Sequence, residues 1–106
     1  MKFYRYDGVV IDGERTYPVL HVLNLFKETP KAYWVCEQWD HEGKFKKLVR
    51  KVSEKAYAYT SVPLARASFI ARKKRQIEML DHQLVIARAQ LVSAQDNEWD
   101  DRSLLS

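Results

Sequence analysis

The sequence has few of the residues and patterns that mark several large classes of protein. Its one cysteine, Cys36, cannot form an internal disulfide. No run of about 18 apolar residues occurs, so we expect no transmembrane helix and no membrane partner. Residues 1–5, MKFYR, lack the apolar core of a signal peptide. We therefore expect an intracellular protein.

Motifs of catalytic and metal sites are also missing. With only three glycines, each in a turn context, the chain has no phosphate-binding loop. Its histidines are isolated and show no metal-ligand spacing, and no hydrolase or paired-carboxylate pattern occurs. His21 and His41 are available as bases for Cys36, but their spacing does not support a catalytic dyad. We expect Cys36 to be a buried small side chain, in a protein without catalytic activity, cofactor or metal.

Positive charge, by contrast, is concentrated in one part of the chain. The net charge is +4, but residues 44–75 contain eleven Lys and Arg against a single acidic residue. The flanking segments 1–43 and 76–106 are both net acidic. So large a local excess favours a surface for phosphates or for an acidic protein over a merely solvated face. The predicted anionic-partner residues are Lys44, Lys46, Lys47, Arg50, Lys51, Arg72, Lys74 and Arg75.

The first half of the chain has the composition of a β-sheet. Four segments are rich in β-branched and aromatic residues and predict strands, at residues 3–11, 17–26, 32–39 and 45–52. Asp12-Gly13 predicts a hairpin turn. Pro18 predicts that its strand lies at an edge or begins late, because proline cannot donate to a ladder. The apolar positions of the fourth segment do not alternate, so a bulge or a helical turn is possible there.

The second half predicts one long helix. Ser61 can cap its first turn, Pro63 fits within that turn, and no further glycine or proline occurs up to residue 95. A helix of about 33 residues would be about 50 Å long, which exceeds the width of so small a domain. We therefore predict an α+β fold in a single domain. It comprises an antiparallel sheet of three to four strands over residues 1–60, a helix over 61–95 that packs on the sheet and extends beyond it, and an acidic flexible tail over 96–106.

The helix carries a heptad pattern. Four apolar residues recur every seven positions (Ile70, Ile77, Leu84 and Leu91), and three positions further on stand Lys73, Leu80, Ala87 and Ala94. These are the a and d positions of a coiled coil with one basic exception. Because Met79 and Ile86 lie on the opposite side, the helix is apolar on two sides. The pattern favours a homodimer or a partner helix over a helix that lies only on its own sheet. The predicted interface residues are Ile77, Met79, Leu80, Leu84, Ile86 and Leu91.

Two stretches resemble a group of small proteins encoded by bacteriophages and prophages. They are residues 56–77, AYAYTSVPLARASFIARKKRQI, and residues 28–35, ETPKAYWV, which a basic segment follows. The likeness covers about residues 18–95. It implies a genomic context, and hence the cytoplasm of a bacterial host, more than a mechanism. Small phage proteins of this kind frequently act by binding and blocking host machinery, including defence systems.

These observations lead to one main functional hypothesis and two alternatives. The main hypothesis is a phage-encoded binding protein that inhibits or redirects a host protein or nucleoprotein complex, such as a defence system, in the manner of an anti-CRISPR protein. One alternative is a nucleic-acid-binding protein that uses residues 44–75, with four aromatic residues available for base stacking, Tyr33, Trp34, Tyr57 and Tyr59. The other alternative is a dimeric structural or assembly protein.

Overall fold

The computed structural model describes residues 1–13, 15–53 and 55–102, and it has an α+β fold. Four antiparallel strands lie in the order in which they occur along the chain: β1 (Lys2–Val10), β2 (Thr16–Glu28), β3 (Ala32–Cys36) and β4 (Lys47–Arg50). One helix, α1 (Val62–Gln95), follows. The predicted fold class, a small antiparallel sheet followed by one long C-terminal helix, is confirmed.

The internal contacts divide the chain into two compact units. The first is Met1–Arg72, which contains the sheet and the first eleven residues of α1, and the second begins at Lys73. The predicted tail falls in the second unit, and its last four residues, 103–106, lie outside the described residues. Within the described part of the chain, α1 does not have the apolar length that crossing a membrane requires.

The pairing of β2 explains how a strand accommodates Pro18. All nine residues of β1 pair with β2, whereas β3 pairs only with the C-terminal part of β2, from Asn24 to Glu28. Pro18 faces Gly8 in the other half of β2, where β1 is the one neighbouring strand in the sheet. One side of the strand therefore carries no ladder at this position, so the missing N–H is tolerated. β2 is therefore an interior strand in the sheet order, but the half of it that contains Pro18 is an edge.

Two strands are shorter than predicted. β3 ends at Cys36 instead of residue 39, and β4 spans Lys47–Arg50 instead of residues 45–52. The chain turns between them because the N–H of Asp40 donates to the carbonyl of Glu37 at 3.1 Å, which ends the extended backbone. The irregularity that was predicted as possible in the fourth strand occurs in β2, where the register with β3 shifts between Leu25 and Lys27.

The hydrophobic core lies on one face of the sheet. Each strand contributes one buried residue, and the segment that follows β4 contributes a fifth, to give Phe3, Leu23, Val35, Val49 and Ala58. Residues 55–59, here called the crossing segment, cover this face with Ala56, Tyr57 and Ala58. The segment ends where Tyr4 and Tyr59 exchange two backbone hydrogen bonds of 2.6 and 2.9 Å along the free edge of β1.

The first turns of α1 are attached to β1. The helix begins as predicted at a serine cap, because the N–H of Leu64 donates to Ser61 Oγ at 3.4 Å. The remaining contacts converge on one tyrosine: the ring of Phe69 meets Tyr6 edge-on at 6.5 Å, and Arg66 Nε donates to the Tyr6 hydroxyl at 3.1 Å. This attachment of α1 to the sheet therefore centres on Tyr6, a residue in the middle of β1.

Arg72, the last residue of the first unit, completes the attachment. Its guanidinium donates to the backbone carbonyl of Tyr6 and lies 3.6 Å from a carboxylate oxygen of Asp7. The same carboxylate accepts a hydrogen bond of 3.0 Å from Arg5. Asp7 therefore connects two arginines from distant parts of the sequence.

The helix ends in a left-handed cap. Asn97 has a positive φ of 60°, the N–H of Glu98 donates to the Ser93 carbonyl at 2.9 Å, and the N–H of Asn97 donates to the Ala94 carbonyl at 3.1 Å. These bonds form a Schellman motif, in which carbonyls of the last turn find partners beyond the helix.

We expect truncation of Val35 to destabilise the first unit. Val35 has no exposed surface, so Val35→Ala removes two buried methyl groups and leaves a cavity, at a cost of about 2–3 kcal/mol. Val10→Ala is the matched control, because Val10 is 67% exposed at the end of β1, and we expect a change within about 0.5 kcal/mol. Urea unfolding curves measure both free energies. Equal losses for the two variants would contradict the placement of the core.

Candidate functional site

Four of the eight predicted anionic-partner residues have partners inside the protein. Lys44 lies 3.4 Å from Glu42, Lys51 lies 2.6 Å from Glu28, and Arg72 contacts Asp7 as described above. The Lys46 ammonium lies 5.4 Å from the centre of the Trp34 ring. These contacts neutralise or cover part of the positive charge of residues 44–75, so these residues do not form one uniform basic surface.

The other four predicted residues make no ion pair with any described residue. Lys47 and Arg50 stand on β4, and Lys74 and Arg75 stand in the second unit. Because side chains alternate along a strand, Lys47 and Arg50 lie on opposite faces of the sheet. Arg50 borders an open groove of about 580 Å³ with two further cations and an apolar floor, which is lined by Pro30, Lys31, Ala32, Leu48, Arg50, Lys51 and Val52.

The connection between β3 and β4 presents two large aromatic side chains to solvent. We call residues 37–46 the aromatic loop. Trp39 is 64% exposed and Phe45 is 65% exposed, and their ring centres lie 5.7 Å apart with the planes inclined at 52°. The two rings border a shallow depression of about 280 Å³ together with His41, Glu42 and Lys44. Trp39 and Phe45 thus lie in the loop and not at the ends of the predicted strands 32–39 and 45–52.

A buried carboxylate holds the aromatic loop in place. Asp40 is 5% exposed, and its two oxygens accept hydrogen bonds of 2.9 and 2.8 Å from the backbone N–H groups of Lys44 and Phe45. The N–H of Gly43 donates to the Asp40 carbonyl at 3.2 Å. Hydrogen bonds to an ionised acceptor are stronger than neutral ones, so the loop is ordered before any partner arrives.

Gly43 brings the loop onto the sheet. Its φ is +69°, and a Cβ at this position would lie 2.7 Å from the ring of Phe26. Any other residue would therefore meet both a backbone penalty and a steric clash. The result is an exposed aromatic pair on an ordered backbone. Rigid aromatic anchors of this kind are typical of the small part of a protein interface that supplies most of its binding energy.

A signal for this loop was present in the sequence. Asp40-His41-Glu42-Gly43 has the composition of a turn, and an aromatic residue stands just before it and another two residues after it. This flanking pattern was the available signal for two aromatic side chains at a turn, and their exposure is a finding of the structure. The buried state of Asp40 could not be predicted, since it depends on the loop folding back on its own backbone.

The four aromatic residues predicted for base stacking contribute instead to the body of the first unit. Tyr33 packs on Phe3 with ring centres 5.2 Å apart, and Trp34 lies beneath Lys46. Tyr57 lies beneath the Arg5 guanidinium at 4.2 Å, and its burial is the main cause that raises its pKa. All are half-buried, as is Tyr59 in its bridge to β1. The rings of Tyr33, Trp34 and Tyr57 therefore each have another side chain against them, which leaves less ring surface for base stacking.

Cys36 and the histidines do not form a nucleophilic site. Cys36 is buried, and burial raises the pKa of its thiol, with smaller contributions from the negative charges of Asp40 and Glu37. It lies on the sheet face opposite to His21, since it pairs in register with Asn24 and side chains alternate. A raised thiol pKa lowers the fraction of reactive thiolate at neutral pH.

His21 belongs to a charged cluster on the core side of the sheet. Its Nδ1 lies 3.3 Å from Glu37 and its Nε2 lies 3.6 Å from Asp7. No group of three or more His, Cys, Asp or Glu side chains in the described ranges is arranged to hold a metal ion. The cluster joins β1, β2 and the start of the aromatic loop.

The second unit presents an apolar helix segment, defined here as residues 73–95. From Lys73 to Val92 every residue is exposed. The segment has eight large apolar side chains that are 44–65% exposed: Ile77, Met79, Leu80, Leu84, Val85, Ile86, Leu91 and Val92. All six predicted helix-interface residues are among them. So much exposed apolar surface on one helix is typical of an association site.

The molecule thus has three candidate binding surfaces: the aromatic loop, the groove beside Arg50 and the apolar helix segment. No protein-family model matches the chain, and no curated protein or solved structure matches it either.

We expect Gly43→Ala to cost more stability than the same change at Gly13. Both glycines have positive φ, 69° and 78°, but nothing lies within 4 Å of a Cβ at Gly13. Gly13→Ala should therefore cost about 1 kcal/mol from the backbone alone, and Gly43→Ala about 0.5–1.5 kcal/mol more, because the exposed ring of Phe26 must move aside. Urea unfolding of both variants measures the difference. Equal costs would show that the aromatic loop does not stand on Phe26.

Proposed function

We propose that this is a non-enzymatic binding protein that contacts a protein of the bacterial host through its aromatic loop and associates with a second copy of itself through the apolar helix segment. One observation carries the proposal. Trp39 and Phe45 are exposed although the backbone that holds them is ordered by the buried carboxylate of Asp40. Two large apolar rings held open to water would gain stability by contact with a partner.

The energetics favour the aromatic loop as the main contact. An aromatic side chain buries roughly 150–250 Å² in an interface, and truncation of a central one typically costs at least 2 kcal/mol of binding free energy. Because the loop is already ordered, little conformational entropy is lost when a partner binds. Charged residues surround the rings, with Lys44 beside Glu42, and such a polar rim is usual around an aromatic centre.

The partner class follows from the resemblance and from the charge. The likeness to small phage proteins supports a host protein or nucleoprotein complex in the bacterial cytoplasm, such as a defence system, that is inhibited or redirected by binding. Lys47 and Arg50, which make no ion pair with a described residue, would raise the rate of association with an acidic partner.

A specific observation also favours a second function, direct binding of nucleic acid. The groove beside Arg50 has cations from three positions, Lys31, Arg50 and Lys51, above an apolar floor. The Lys51 ammonium also lies 2.6 Å from the Glu28 carboxylate, which reduces the positive charge of the groove and weakens the case for nucleic-acid binding. Nucleic-acid binding predicts an affinity that falls steeply with salt, by a log–log slope of about −0.9 for each phosphate contact on duplex DNA.

Self-association is the other half of the proposal. The eight apolar side chains of the helix segment lie at 44–65% exposure, whereas the core of the first unit is closed by its own crossing segment. Four of these side chains form the apolar stripe at the a and d positions (Ile77, Leu80, Leu84 and Leu91), and a second copy offers the same stripe at the same heptad spacing, which makes it self-complementary. The dimer would present two aromatic loops, one from each copy.

We expect the double variant Trp39→Ala, Phe45→Ala to lose the host partner. The experiment is a pull-down from nuclease-treated bacterial lysate, which removes nucleic-acid bridging. Trp99→Ala is the matched control, because Trp99 is 67% exposed and lies outside the aromatic loop. A partner that is retained by the control and reduced at least tenfold for the double variant supports the proposal. Equal capture by both variants, or capture that nuclease abolishes, would overturn it.

We expect the wild-type protein to dimerise at micromolar concentration and Leu84→Asp to weaken the dimer about 100-fold or more. The variant buries a charge in the apolar stripe of both copies. His82→Asp is the control, since residue 82 points about 160° away from the stripe at 100° per residue. Sedimentation equilibrium measures the dissociation constants. A wild-type protein that is still monomeric at about 100 μM, or equal weakening of the dimer by both variants, would refute self-association.

A further inference from the structure

We infer that the two copies pair through their apolar helix segments in antiparallel orientation, with the two-fold axis between Val85 and Ile86. The inference rests on the proposed self-association and adds its geometry. It is carried by the order of large and small residues along the apolar stripe and by the charges on the two flanks of that stripe. The segment is a continuous helix throughout, and every residue from Lys74 to Val92 is exposed.

Residue size along the stripe favours the antiparallel orientation. In this register each a position of one copy meets a d position of the other, so large side chains mostly face small ones. The resulting layers place Ile77 opposite Ala94, Leu80 opposite Leu91 and Leu84 opposite Ala87 of the second copy, and each layer occurs twice by symmetry. Two copies in parallel would instead match like with like.

The parallel orientation would be poorly filled and repulsive. Ala87 would meet Ala87 and Ala94 would meet Ala94, which leaves gaps between the helices. The Lys73 ammonium donates a hydrogen bond of 3.0 Å to Gln76 within its own helix. In the parallel pair it would face Lys73 of the second copy. Two ammonium groups in one apolar layer repel each other, so this layer would oppose the parallel pair.

The charged residues on the flanks of the stripe also favour the antiparallel orientation. One flank carries Lys74, Asp81 and Arg88 at seven-residue spacing, and the other carries Gln76, Gln83 and Gln90. In the antiparallel register Asp81 lies beside Arg88 of the second copy, and symmetry repeats this pair. In parallel, opposite flanks meet, so Asp81 and Arg88 would each face a glutamine and would form no ion pair with each other.

Cysteine cross-linking between two proteins tests the orientation. Leu80→Cys and Leu91→Cys are made separately in the full chain with Cys36→Ala, then mixed in a thiol redox buffer. The antiparallel pair brings positions 80 and 91 together, and we expect the mixed disulfide to exceed either same-site disulfide about tenfold. In parallel, the two positions would be eleven residues or about 16 Å apart, beyond the reach of a disulfide. A predominance of same-site disulfides would overturn the inference.

Charge exchange at the flank gives an independent measurement. Asp81→Arg places like charges together at two points of the antiparallel dimer, and we expect its dissociation constant to rise about tenfold. Adding Arg88→Asp to the same chain restores both pairs, and the constant should return to within about threefold of the wild type. Glu78→Arg, on another side of the helix, is the control for the added charge. Equal constants for the single and double variants would contradict the antiparallel register.

The outcomes separate the inference from the proposal on which it rests. A wild-type protein that sediments as a monomer refutes self-association and the antiparallel pair together. A dimer with same-site disulfides refutes the orientation alone. The pull-down with the aromatic-loop variants is independent of both results, since it concerns residues of the first unit.

Discussion

Two backbone hydrogen bonds between Tyr4 and Tyr59 tie the end of the crossing segment to the free edge of β1. A single four-stranded sheet leaves two faces open, and its core needs a cover before it can exclude water. The crossing segment supplies that cover with Ala58, and the bonds to Tyr4 hold it down. They also set where Ser61 stands, and hence where α1 starts. The sheet, its core and the position of the helix N-terminus therefore depend on one contact at the edge of β1.

The aromatic loop depends on a different kind of constraint. Asp40 is a carboxylate in a nearly closed environment, and such a group is tolerated only where donors surround it. The N–H groups of Lys44 and Phe45 meet this requirement by donating to the two oxygens of Asp40, which holds the loop backbone in place. The ring of Phe26 beneath Gly43 closes the other side. The exposure of the Trp39 and Phe45 rings therefore results from the hydrogen-bonded loop backbone that holds them there. It does not result from disorder or poor packing.

Local signals in the sequence were sufficient for most of the fold. Ser61 and Pro63 located the start of α1 because capping depends on neighbouring residues alone, and the runs of β-branched and aromatic residues located all four strands. The ends of β3 and β4 were missed because they depend on Asp40, whose bonds form only in the folded loop. The ion pairs of Lys51 and Arg72 were missed for a similar reason, since their partners Glu28 and Asp7 come from strands distant in sequence. For the helix segment, all six predicted interface residues are exposed, as is every other residue from Lys73 to Val92, so their pairing stays a prediction.

β4, the outermost strand, has consequences beyond the fold. It is only four residues long, and Lys47 and Arg50 stand at its two ends. If two copies joined along this edge, cations would meet cations, and few backbone bonds would compensate the repulsion. The opposite edge, at β1, is partly occupied by Tyr59. The sheet is thus protected at both edges against open-ended pairing of strands into aggregates.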